Sequence, residues 1–117
     1  MQRVFVIALA LLVAACATTI PDLNTRPTKY YQETVRVTGR ITRMQDLPGE
    51  VLFELADARE HRLLVRAPSP VEAQPDEWVK VRGIFVPETR VGGRIVYDTV
   101  LADSVRRVRA PWLRNLF

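Results

Sequence analysis

Residues 34–42 read Thr34-Val35-Arg36-Val37-Thr38-Gly39-Arg40-Ile41-Thr42, and this stretch decides the fold. Val35, Val37, Gly39 and Ile41 fall on one side of an extended chain, while Arg36, Thr38, Arg40 and Thr42 fall on the other. A period of two marks a strand with one face buried and one face in water. Working outward, Pro48-Gly49 predicts a turn. Val51, Phe53 and Leu55 then alternate with Leu52, Glu54 and Ala56, residues 57–60 interrupt the run, and residues 61–67 resume it, which predicts a hairpin. Pro68, Pro70 and Pro75 leave no room for a long helix in the segment that follows.

Residues 78–86 predict a fourth strand, with Val79, Val81, Gly83 and Phe85 in phase. Gly92-Gly93 supplies a hairpin turn. Residues 94–108 predict a fifth strand, in which Ile95, Tyr97, Thr99 and Leu101 alternate with Val96, Asp98 and Val100. After residue 16 no apolar pattern with a helical period is evident. Five short strands suit a closed or nearly closed barrel, because closure removes the exposed edges that invite aggregation. An internal echo supports this: Val35-x-Val37-x-Gly39 returns as Val79-x-Val81-x-Gly83. Glycine weakens a strand, and is found there where the strand must bend sharply across a barrel corner.

On these residues the chain resembles an OB-fold over residues 34–108: an all-β, five-stranded Greek-key barrel, here following a cleaved signal peptide and a short linker. The helix usual between the third and fourth strands of that family is replaced by the proline-rich loop at 68–77. Another small β-sandwich or half-barrel is the rival reading.

The N-terminus carries a separate signal. Arg3 is followed by an unbroken apolar run at residues 4–15, then by Cys16. Twelve residues of helix span about 18 Å, short of a hydrocarbon core of roughly 30 Å, so the run fits a secretory leader better than a transmembrane helix. Val13-Ala14-Ala15-Cys16 resembles the lipobox of bacterial lipoprotein precursors. The resemblance implies cleavage before Cys16, a diacylglyceryl (palmitate-type) anchor on its sulfur, and acylation of the new amine. Several chains on one residue anchor durably. Ala17 in place of aspartate favours the outer membrane, with the domain on the periplasmic side. The expected organisation is a signal peptide at 1–15, a lipidated cysteine and flexible tether at 16–33, the barrel at 34–108, and an apolar tail at 109–117. Tyr30 and Tyr31 are expected to cap one end of the core, and the tail to fold back over a barrel end or to meet a partner.

Composition limits the function. The chain has 117 residues, room for one domain, and 48% hydrophobic and 26% charged residues, as in an ordinary globular protein. With a single cysteine it forms no internal disulfide. Setting Arg3 aside with the leader leaves 16 basic against 13 acidic residues, nearly all the basic ones arginine, which suits an anionic partner. His61 is the only histidine, so neither a histidine-rich metal cluster nor a histidine acid–base pair can form in one chain. No catalytic residue, metal or cofactor is expected, and the chain is read as a non-enzyme. An OB-fold binds through its second and third strands and flanking loops. That makes Arg62, Leu64 and Arg66 the expected binding face, with Arg43, Arg90 and Arg94 on the adjoining loops. The expected partners are the membrane, through the N-terminal lipid anchor, and an envelope protein or anionic envelope polymer. A periplasmic stress-type protein binding a small ligand is the alternative. Nucleic acid is expected to be excluded, both by location and by the lack of outward aromatics for base stacking. The sequence leaves the oligomeric state open.

Overall fold

The computed structural model describes residues 16–110, and the expected signal peptide at 1–15 and all but the start of the tail lie outside them. In chain order the elements are β1 (Cys16–Ala17), α1 (Ile20–Thr25), α2 (Pro27–Tyr30), β2 (Thr34–Leu47), β3 (Glu50–Ala56), β4 (Arg62–Pro68), β5 (Trp78–Val91) and β6 (Arg94–Arg107). The strands run β2-β3-β4-β6-β5, and a further β2–β5 pairing closes the ring. All these pairings are antiparallel except β4 with β6. This is the all-β closed ring that the alternation predicts, with the strand order that the resemblance to an OB-fold implies.

The inward residues are those expected. Val35, Val37 and Ile41 from β2, Val51, Phe53 and Leu55 from β3, Leu63 and Val65 from β4, and Val79, Val81 and Phe85 from β5 form one buried cluster. Each such side chain contributes about 1.5–3 kcal/mol by leaving water. The repeated glycines mark close approaches between layers. At Gly83, where the β5–β6 register slips, a Cβ would stand 2.2 Å from the carbonyl oxygen of Leu101. At Gly39 it would stand 3.0 Å from Leu55 Cβ and 3.3 Å from Ile20 Cδ1.

Three expectations change. First, β2 runs to Leu47 and β5 to Val91, each beyond the predicted end. The extensions are held by ladder pairing, β2 with β3 as far as Leu47 opposite Glu50 and β5 with β6 as far as Val91 opposite Arg94, so they need no continuous apolar alternation. Second, the alternation along β6 does not hold throughout: Ile95 and Tyr97 are exposed, yet Thr99 and Val100 are both buried. Asp98 lies between them with φ of 50°, which resets the phase.

Third, residues 16–33 are not a flexible tether. Thr19 caps α1 by accepting from the Asp22 N–H, and Ile20 and Leu23 at i and i+3 are both buried in the barrel core. Tyr31 stacks on Phe85 with ring centroids 5.4 Å apart, so the tyrosines do cap the core as expected. Before them, β1 pairs in parallel with β2, Cys16 opposite Val35 and Ala17 opposite Arg36. A six-residue helix is too short to register as a period, but two apolar residues suffice to plug a small barrel end. The proline-rich loop at 68–77 stays irregular and adds only Val71 and Ala73 to the core.

Candidate ligand-binding face

The turn at Pro48-Gly49 and the hairpin at Gly92-Gly93 bring the far ends of β2 and β6 over β3 and β4. Between them lies an open cavity of about 340 Å³. Its walls are Arg43, Met44 and Gln45 of β2, Leu52, Phe53 and Glu54 of β3, Leu64 of β4, and Arg94, Ile95 and Val96 of β6. Three of the six predicted residues, Arg43, Leu64 and Arg94, therefore line one hollow. Arg90 stands directly across the β5–β6 ladder from Ile95.

The other two predicted residues, Arg62 and Arg66, occupy the outward side of β4 as the alternation requires. Their charge is answered locally. Arg62 Nη1 donates to Glu54 Oε1 at 2.8 Å and Arg62 Nη2 to Glu60 Oε1 at 3.1 Å. Arg66 Nε donates to Glu50, and Arg66 Nη1 donates to the Thr89 hydroxyl at 2.8 Å. The cause is register: Glu54 faces Leu64, one step from Arg62, and Glu50 begins the strand that β4 follows.

Glu54 is the electrostatic centre of the face. Burial acts to raise its carboxyl. The hydrogen bonds from the Thr42 hydroxyl and Arg62, and the charges of Arg62 and Arg43, outweigh burial and hold the group below the ordinary glutamate range. Arg43 reaches it only at 3.9 Å, so its guanidinium remains largely in water. Arg90 and Arg94 have no carboxylate partner among the described residues. The rim of the hollow thus keeps an excess of positive charge beside an apolar floor of Leu52, Leu64 and Ile95, the last 43% exposed.

Met44, Gln45, Ile95 and Val96 were not foreseen as part of the face. The signal for them is proximity: each lies within two residues of Arg43 or Arg94, but only closure of the ring sets the two pairs on one hollow.

His61 precedes β4 as expected and serves the turn before it. Its Nδ1 lies 2.8 Å from Asp57 Oδ2, and Asp57 Oδ1 accepts from the N–H groups of Arg59 and His61. Burial acts to raise the Asp57 carboxyl, but these bonds hold it below its ordinary value. Among the described residues no three His, Cys, Asp or Glu side chains converge as a metal site would require.

No protein-family model and no curated protein matches this sequence. Solved structures do share its fold. The aspartyl-tRNA synthetase of Entamoeba histolytica matches with a TM-score of 0.63 at 12% identity, over 82% of this chain and 22% of that one. A putative aspartyl-tRNA synthetase of Leishmania major Friedlin matches with a TM-score of 0.60 at 12% identity, over 83% of this chain and 21% of that one. This chain thus spans about a fifth of either synthetase. Replication protein A of U. maydis, bound to single-stranded DNA, matches with a TM-score of 0.58 at 12% identity, over 87% of this chain and 84% of that one. At such identities the likeness is one of fold.

The likeness corrects one expectation. Nucleic acid was expected to be excluded, yet the same architecture carries single-stranded DNA in the U. maydis protein. Tyr97 of β6, one residue beyond Val96 of the hollow's wall, is moreover an aromatic that stands 64% exposed.

Proposed function

We propose that this chain is a lipid-anchored, non-catalytic binding module at the periplasmic side of the outer membrane, holding an anionic partner across the β3–β4 face. The partner class is an acidic envelope protein or an anionic envelope polymer. One observation carries the binding half: Arg94 lines a hollow with an apolar floor and Arg90 stands across the ladder from its exposed Ile95, and neither has a carboxylate partner among the described residues. An open cleft with a few charged groups at its edge holds a chain-like ligand by charge and by its aliphatic parts together. The Val13-Ala14-Ala15-Cys16 sequence supports the anchoring half.

A second reading keeps the face and changes the ligand to single-stranded nucleic acid. Exposed Tyr97 on β6 favours it, since base stacking on an aromatic is sequence-tolerant. The neighbour bound to single-stranded DNA points the same way.

Fluorescence anisotropy with labelled poly-glutamate and labelled oligothymidylate separates the two. On the first reading poly-glutamate binds, and Arg94→Ala weakens it by about tenfold, the worth of one charge-assisted contact. On the second, oligothymidylate binds more tightly and Tyr97→Ala weakens it. Failure of both probes would remove the face as an anion site. Mass spectrometry of the mature chain tests the anchor, which requires residues 1–15 gone and Cys16 acylated.

A further inference from the structure

A second cationic surface lies on the outward side of β2, β5 and β6, away from the turns that shape the ligand hollow. Val35, Val37, Val79 and Val81 point inward and are buried, so Arg36, Thr38, Lys80 and Arg82 point outward. Across the ladders Arg36 stands opposite Arg82, Thr38 opposite Lys80, and Lys80 opposite Arg106. Like charges directly opposite each other on one sheet face destabilise it. Here two such pairs lie side by side. Arg82 is answered by Asp103 at 2.8 Å. Arg36, Lys80 and Arg106 have no ion pair among the described residues. The one further carboxylate near them, Asp57, is held by His61 and by the turn N–H groups.

This surface adjoins the point where the chain enters the domain. Ala17 pairs with Arg36, and the Thr18 N–H donates to the Arg36 carbonyl at 3.0 Å. A hollow of about 420 Å³ opens there, with Thr18, Arg36, Thr38 and Lys80 on its walls together with Asp57, the carboxylate already engaged by His61 and the turn N–H groups. The Thr18 hydroxyl is buried and has no hydrogen-bond partner. A guanidinium, an ammonium and free hydroxyls around one hollow match the oxygens of a phosphate diester.

We propose that this face, through Arg36, Lys80 and Arg106, docks on the anionic phospholipid headgroups of the bilayer in which Cys16 is anchored. The proposal rests on the anchoring reading above. Because residue 16 is paired to β2 and no tether intervenes, an acylated Cys16 sets these cations within reach of the headgroups. Each cation near an anionic surface raises affinity about fivefold, and lipid chains with a basic patch make a two-signal anchor. The barrel then lies against the membrane through this face, leaving the ligand hollow for its partner.

The chain has only two lysines, Lys29 and Lys80, which makes amine labelling a direct reading of orientation. Lys29, on α2, is exposed and lies over the Tyr30 ring, and it serves as the internal reference. The protein purified from membranes is reconstituted on vesicles of phosphatidylcholine alone or with phosphatidylglycerol, acetylated, and read by mass spectrometry. Phosphatidylglycerol should lower Lys80 labelling relative to Lys29 by fivefold or more. Molar salt, or the double variant Arg36→Gln/Arg106→Gln, should restore it. An unchanged Lys80-to-Lys29 ratio on the two vesicles overturns the docking face. Protection of Lys80 by inorganic phosphate without vesicles overturns it as well, showing a small-anion site. If residue 16 carries no lipid, the anchor fails by itself, and the same labelling with phosphatidylglycerol vesicles added to the protein still decides the face.

Discussion

Two faces of one small barrel carry arginines in the same alternating pattern and treat them differently. On β4, Arg62 and Arg66 are matched by Glu54, Glu60 and Glu50, and the strand pairs close into an ion-pair lattice with Thr42 and Thr89. On β2, β5 and β6, Arg82 is answered by Asp103, Arg40 by Glu60 and Asp76, and Arg107 by Glu77, while Arg36, Lys80 and Arg106 have no ion pair among the described residues. The first arrangement holds strands together, while the second leaves charge for something outside the chain. An arginine count cannot tell these apart. The partner opposite each arginine can.

The comparison breaks most severely if the N-terminal segment is not part of the barrel. Leu23 is fully buried in the shared core and holds residues 16–25 against β2, beside the uncompensated face. Leu23→Ala should lower unfolding stability by about 2–5 kcal/mol in a denaturant titration. A near-zero loss would show that residues 16–33 detach freely.

The matched face is sharpened by removing its central carboxylate. Glu54→Ala leaves Thr42, Arg62 and Arg43 without their common acceptor and should cost about 1–2 kcal/mol, limited by the exposure of Arg62. Acid should act the same way. Glu54 and Asp57 both have carboxyls held below their ordinary values. Such groups contribute stability that is present above the unfolded pKa and is lost as pH falls through the lower folded one. Thermal stability should therefore fall below a pH of about 4, and less so in Glu54→Gln. A profile that is flat in acid for the parent protein would deny that the lattice is structural.

The smallest effect separates the faces by sign. Lys80→Gln removes a charge set opposite Arg106 and should leave stability unchanged or raise it by a few tenths of a kcal/mol. Arg62→Gln should lower it by up to about 1 kcal/mol. Equal losses in the two variants would show that the two faces do not differ in how their charges are answered.

Much of the fold was legible. The run from Val35 to Ile41, the turns at Pro48-Gly49 and Gly92-Gly93, and the inward phase of Phe53, Val65 and Phe85 follow from local chemistry, and the structure keeps them. Part of the site was legible too, since Arg43, Leu64 and Arg94 do share a hollow. Two things were hidden. The capping role of Ile20 and Leu23 was masked because Pro21 and Pro27 bracket a helix of barely two turns, and proline there reads as a linker. The exposure of Tyr97 was masked because β6 changes phase at Asp98.

By itself the sequence determined an all-β chain, since a two-residue period of apolar side chains belongs to strands with one covered face, whereas closure into a ring was decided by the tertiary structure. It also supplied the lipobox-like run ending at Cys16, a signal of order along the chain that needs no fold to be read. Only the tertiary structure decided which cations are spent and which are free, and where residues 16–33 belong. The physical reason is distance along the chain. Glu50 meets Arg66, Lys80 meets Arg106 and Leu23 meets the barrel core only when the ring closes, and no local pattern records a register fixed by closure.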